Sequence, residues 1–142
     1  CGLSKENAIS ATHFCDLLKY LYASKNYSDF KSTLPIAGVS GTIKNICKGQ
    51  AGEGRIFAKS GTISKVKSYA GYVISKSGKN LAFAITVNNF SGSNSQIMTE
   101  IEKVLNNLLI SETKYFGTFL IAFIESIKSN KLVRDVYLGY EI

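Results

Sequence analysis

The residues best suited to chemistry are Ala58-Lys59-Ser60-Gly61-Thr62, set between short apolar stretches. Read as a strand, Lys59 supplies a fixed positive charge and Ser60 and Thr62 supply hydroxyl donors. The missing side chain at Gly61 leaves room for a ligand to pair with the strand edge, and an anionic group fits that arrangement. Lys-Ser-Gly recurs at Lys76-Ser77-Gly78, between Tyr72-Val73-Ile74 and Leu81-Ala82-Phe83, where the composition spells a hairpin turn. The second copy is therefore read as structural. Ser4 and Asn7, taken alone, are turn residues. His13 is the single histidine, which excludes a multi-histidine metal site and leaves it a plain helix residue. Cys1, Cys15 and Cys47 are odd in number and lack metal spacing, so they imply neither a disulfide framework nor a zinc site. Tyr69 and Tyr72 read as strand packing rather than a surface for stacking substrate.

These residues need elements to position them. The chain has 142 residues, the size of one domain with a real core, and a single proline argues against long disordered linkers. Its net charge of +7 raises anionic partners. The lysines are scattered and no nucleic-acid recognition motif is present, so an acidic polymer or a carboxylate-bearing substrate suits the charge and nucleic acid is not expected. Ser10 is an N-cap for a first helix over 11–24, with Phe14, Leu17, Leu18, Leu21 and Tyr22 at helical spacing. Residues 30–42 read as a loop or short helical turn pinned by Pro35, Gly38 and Gly41. The basic stretch Lys44–Gly54 reads as a surface connection. Strands follow at 55–60, 67–75 and 80–88, the last two antiparallel, and then a helix over 95–110 with Ile97, Ile101, Val104, Leu105, Leu108 and Leu109 on one face. The tail, 111–142, reads as a helix over 113–128 with a strand-like end at 132–140. Its apolar run Tyr115–Ile124 is too short for a span of ~20 residues. It packs on this chain or on a neighbour, or lies on a membrane surface.

Three segments carry a resemblance. Cys1-Gly2-Leu3-Ser4-Lys5-Glu6-Asn7 is similar to the Asp-Gly-Ser-Gly-Leu-Ser-x-x-Asn region of the class C low-molecular-mass penicillin-binding proteins, the D-alanyl-D-alanine carboxypeptidases and endopeptidases. Leu34-Pro35-Ile36-Ala37-Gly38-Val39-Ser40-Gly41-Thr42 resembles their Leu-Pro-Val-Ala-Gly-x-x-Gly-Thr segment. Ala58–Thr62, followed by Ser68-Tyr69-Ala70-Gly71-Tyr72-Val73, resembles their Lys-Thr-Gly strand and the strand after it. The motifs occur in the family's order and cover residues 1–110, leaving 111–142 as a separate tail.

The resemblance implies an α+β fold, an antiparallel sheet flanked by helices, forming part of a penicillin-recognising domain. Its site has three walls. Ser4 and Asn7 stand for the second wall and Lys59, Ser60, Gly61 and Thr62 for the third, with Ser60 in place of threonine. Lys59 and Ser4 would assist proton transfer, the Thr62 N–H would be an oxyanion donor, and the Ser60 and Thr62 hydroxyls would hold the terminal carboxylate of D-alanine. The first wall, a nucleophile and base as Ser-x-x-Lys, is missing. That spacing occurs at Ser28–Lys31, Ser64–Lys67 and Ser111–Lys114, all downstream of where the family places it. The chain therefore reads as the C-terminal part of a longer extracytoplasmic serine peptidase acting on peptidoglycan stem peptides and binding β-lactams, with no metal or organic cofactor. The alternatives are a β-lactamase or esterase of the same fold, a non-catalytic cell-wall peptide-binding module, and a structural domain whose tail docks a partner or membrane.

Overall fold

The computed structural model describes residues 9–110; the expected tail elements, Ser4 and Asn7 lie outside them. The described part is α+β. Three strands, β1 (Ile56–Ile63), β2 (Val66–Ile74) and β3 (Asn80–Asn88), form an antiparallel meander in the order β1-β2-β3. Two connections are tight. Ser64 and Lys65 link β1 to β2, with Lys65 at φ 58°. Ser75 N–H donates to Lys79 O over 2.8 Å to close the second turn, with Gly78 at φ 86°, so Lys76-Ser77-Gly78 is a hairpin turn as its composition implies.

The register divides the sheet into two faces. Ile56, Ala58, Ser60 and Thr62 of β1 align with Val73, Gly71, Tyr69 and Lys67 of β2, and these with Leu81, Phe83, Ile85 and Val87 of β3. Helix α3 (Asn94–Leu108) covers this face with Ile97, Ile101, Val104, Leu105 and Leu108, in one core with Ile43, Ile46 and Leu109. A capping box starts α3: Ser93 Oγ accepts from Gln96 N–H over 3.2 Å and Gln96 Oε1 accepts from Ser93 N–H over 2.9 Å. The other face carries Phe57, Lys59 and Gly61 with Tyr72, Ala70 and Ser68, and receives α1 (Ala11–Tyr22). Ser10 caps α1 by accepting from His13 N–H over 3.2 Å, and the His13 ring contacts the same hydroxyl.

α1 presents its expected face to the sheet except at Leu17. Ala11, Cys15 and Leu18 are the buried residues, whereas Leu17 is 51% exposed. The sheet surface beneath is built of Ala70, Ala82 and Ala84, and the small Ala11 and Cys15 let the helix settle closely on it. A short helix, α2 (Tyr27–Ser32), follows α1. It builds an aromatic cluster in which the Tyr27 ring stands edge-on to Tyr22 at 4.6 Å and to Tyr72 at 5.2 Å.

The basic stretch 44–54 does not wander over the surface. Ile46, Cys47 and Gly52 are buried, and α3 ties the loop down: Cys47 N–H donates to Glu102 Oε1 (3.2 Å), Gly52 N–H to Asn106 Oδ1 (2.9 Å) and Asn106 Nδ2 to Gln50 Oε1 (2.5 Å). Burial, with help from the Glu102 charge, pushes the Cys47 thiol up to about 12 against the pull of the Asn106 hydrogen bond. It is held as a packed thiol rather than a nucleophile.

Candidate functional site

The proline-bearing segment 34–42 is the scaffold of the site. Ile36 bridges Phe57, Ala37 N–H donates to Ile56 O over 2.9 Å, and Ala58 N–H donates to Pro35 O over 3.0 Å. This segment thereby pairs with the start of β1 on the side away from β2. Two glycines shape it. Gly38 (φ 74°) and Gly41 (φ 60°) lie in the left-handed region, and a Cβ at Gly41 would come within 2.9 Å of the Pro35 ring.

Beyond Ala58 no described residue pairs with the outer edge of β1. Backbone direction alternates along a strand. Since Ile56 O and Ala58 N–H face outward, so do the N–H and C=O groups of Ser60 and Thr62. The side chains converge on that edge. Ser60 Oγ donates to Thr42 Oγ1 over 2.8 Å, which joins the end of the proline segment to the Lys-Ser-Gly strand. Lys59 is exposed, projects from the α1 face, and its Nζ turns back to donate to Ser60 O over 2.6 Å. Thr62 is exposed on the Ser60 side. A Cβ at Gly61 would meet its cross-strand neighbour Ser68 Oγ at 2.7 Å. The edge thus offers an ammonium group, three hydroxyls and two outward backbone N–H groups within one strand turn, a set suited to a carboxylate and to an oxyanion.

The sequence did not single out Thr42 as a site residue. No local signal marks it, because an exposed loop threonine is polar by default and only the fold brings it to Ser60. Tyr69 and Tyr72 are core residues, as read. Tyr72 is fully buried with its hydroxyl donating to Leu18 O over 2.8 Å, and burial pushes it up to about 12; burial, then the charge of Glu102, raises Tyr69. Of the Ser-x-x-Lys spacings, Ser28 and Lys31 lie on α2, but Lys31 Nζ sits 4.3 Å from the centroid of the Phe57 ring rather than on Ser28. Ser64 is in the β1–β2 turn, and Ser111 lies outside the described residues. Among the described residues no group of His, Cys, Asp and Glu could hold a metal ion, and no helix is long and apolar enough to cross a membrane.

The meander sheet, with Lys-Ser-Gly on the open edge of its first strand and Leu-Pro-Ile-Ala-Gly beside it, falls within the part of the chain that matches a D-Ala-D-Ala peptidase family. The chain belongs to the D-Ala-D-Ala carboxypeptidase 3 (S13) family, whose model matches residues 1–108. It is 38% identical over 96 residues to the D-alanyl-D-alanine carboxypeptidase of Actinomadura sp. strain R39, covering 64% of this chain and 18% of that protein. It is 29% identical over 96 residues to the D-alanyl-D-alanine carboxypeptidase DacB of Haemophilus influenzae, covering 63% and 19%. The same fold occurs in the crystal structure of penicillin binding protein 4 (dacB) from H. influenzae, at TM-score 0.68 and 23% identity over 75% of this chain and 25% of that one. A second structure of that protein, complexed with a novel beta-lactam, gives TM-score 0.64 at 24% identity, covering 75% and 26%. The chain spans less than a fifth of the length of these curated relatives.

Proposed function

We propose that this chain supplies one wall of a serine-type D-Ala-D-Ala carboxypeptidase or endopeptidase that cleaves peptidoglycan stem peptides through an acyl-enzyme, outside the cytoplasm. The observation that carries the reading is the Ser60–Thr42 hydroxyl pair beside Lys59 on the open edge of β1. A substrate strand laid along that edge would pair with the outward groups of Ser60 and Thr62. Its terminal carboxylate would meet the Ser60 and Thr62 hydroxyls in the field of Lys59, and the Thr62 N–H would stabilise the oxyanion that forms as the carbonyl is attacked.

The attacking serine and its lysine base belong, in this reading, to a part of the protein outside this chain. Lys59 would assist them by raising the local potential, which favours the neutral form of the base. The second-wall roles of Ser4 and Asn7 are part of the same proposal.

The test is acylation of the complete protein by a penicillin, followed by intact mass. The parent protein gains one penicillin, and Lys59→Ala slows the gain on the order of a hundredfold, the scale of losing one preorganised electrostatic group. Near-normal acylation of Lys59→Ala would remove β1 from the site. A parent protein that gains nothing would favour a peptide-binding module.

A further inference from the structure

Among the described residues Lys67 is the only charged side chain that the fold buries; it stands on the α3 face of β2 and is 6% exposed. A buried lysine is normally paired, yet Lys67 makes no hydrogen bond or ion pair with a described residue. Glu102, the acid whose charge reaches the neighbouring Tyr69, is engaged by Cys47 N–H at 3.2 Å and Gln50 Nε2 at 3.5 Å. The fully enclosed side-chain polar atom without a partner among the described residues is the Tyr27 hydroxyl, so the Lys67 ammonium reaches the surface at its tip. Its stem is closed in by Val87, Tyr69 and Phe90, all buried. The open sides are the turn that joins β1 to β2 and Thr62, its cross-strand partner, which is exposed on the free edge of β1.

We infer that Lys67 is a specificity-determining residue of this edge, which holds the terminal carboxylate of the peptide together with the Thr62 hydroxyl; this rests on the reading of the site given above. Ser60 and Thr62, whose hydroxyls would meet that carboxylate, share the α3 face with Lys67. Lys59 projects from the opposite face, and its Nζ is already engaged with Ser60 O over 2.6 Å. The cation on the hydroxyl side of the strand is therefore Lys67. Lys65 adds a second positive charge at the same corner of the sheet, its Nζ 5.4 Å from the centroid of the Phe90 ring. An anion arriving there satisfies the Lys67 ammonium and relieves the repulsion between two like charges. The exposure of Thr62 leaves the place open to a ligand.

The experiment measures acylation of the complete protein by benzylpenicillin and by its methyl ester, two probes that differ only at the carboxylate. Lys67→Met keeps the buried stem and removes the charge. It should lower the ratio of the free-acid rate to the ester rate about tenfold, the scale of one charge-assisted hydrogen bond. The urea midpoint should hold or rise, because a cation without a protein partner no longer has to be buried. An unchanged ratio overturns the inference. So does an equal loss with both probes; a urea midpoint that falls with it would identify Lys67 as the partner of an acid in the rest of the protein. If the parent takes up neither probe, the reading of the site fails by itself. Lys67 is then judged by calorimetric titration with acetyl-D-Ala-D-Ala and with its C-terminal amide. A preference for the free acid that Lys67→Met abolishes supports the inference; no preference in the parent, or one that Lys67→Met leaves intact, overturns it.

Discussion

Thr42 and Ser60 are 18 residues apart and meet through a single hydrogen bond of 2.8 Å, so each hydroxyl fixes the other's rotamer. Removing the partner while keeping its shape separates orientation from direct contact. Thr42→Val should cost about 1 kcal/mol of whatever that orientation contributes, seen as a roughly fivefold slower penicillin acylation, with Thr42→Ser restoring it; an unchanged rate would mean that Ser60 is positioned by its strand alone. Two glycines of the sheet should differ sharply. A Cβ at Gly71 would fall 2.0 Å from Phe57 O and 2.7 Å from Ala58 Cα, both backbone atoms of the strand that carries Lys59. Gly71→Ala must push β1 off β2, and should cost about 3 kcal/mol in urea unfolding. At Gly61 the obstacle is Ser68 Oγ at 2.7 Å, the end of a side chain that can rotate. Gly61→Ala should cost no more than about 1 kcal/mol, and Ser68→Ala should relieve it.

At the scale of elements, local pattern was informative where the partners are near in sequence and silent where they are distant. The strands and both long helices follow from period-2 and period-3.6 apolar spacing and from the Ser10 and Ser93 caps. β1 ran past its expected end because Gly61-Thr62-Ile63 pairs with β2, which a strand's own sequence does not announce. α1's burial depended on the alanines beneath it, so apolar spacing alone put Leu17 inside. The 44–54 connection was misread for the same reason. Its anchors, Glu102 and Asn106, are on α3, more than 50 residues away. The site was half legible: Lys59, Ser60 and Thr62 stood out by type, while Thr42 needed the fold to bring it to them. The α3 anchor gives a test. Asn106→Ala leaves Gly52 N–H without its acceptor and should destabilise by about 2 kcal/mol, with faster amide exchange at Gly52 than at Ile101 on the same structural layer. Equal protection at both would show that burial of Ile46 and Cys47 suffices to hold the loop.

The whole molecule buries acidic hydrogens on both sides of its sheet, which ties stability to alkaline pH. Cys47 is fully buried under α3, and Tyr72 is fully buried under α1 and α2. Burial pushes Cys47 from an ordinary 9.0 to about 12 and Tyr72 from 10.0 to about 12. In each case the folded state favours the protonated, neutral form. Below about pH 8 both groups are protonated folded and unfolded, and their contribution is fully present. As pH rises from 9 towards 12 the unfolded chain gives up its protons first, and the folded state loses stability accordingly. Neutralising lysines acts in the opposite direction by relieving the +7 repulsion, but those exposed charges are screened at ordinary salt. The urea midpoint should therefore be flat from pH 7 to about pH 8.5 and fall above pH 9. Cys47→Ala should flatten the early part of that fall, and Tyr72→Phe the later part above pH 10, even though Tyr72→Phe gives up the hydrogen bond to Leu18 O and starts from a lower stability at neutral pH. Parallel curves for parent and both variants would place the alkaline sensitivity elsewhere, in the phenols of Tyr27 and Tyr69, which burial also raises, or in the net charge.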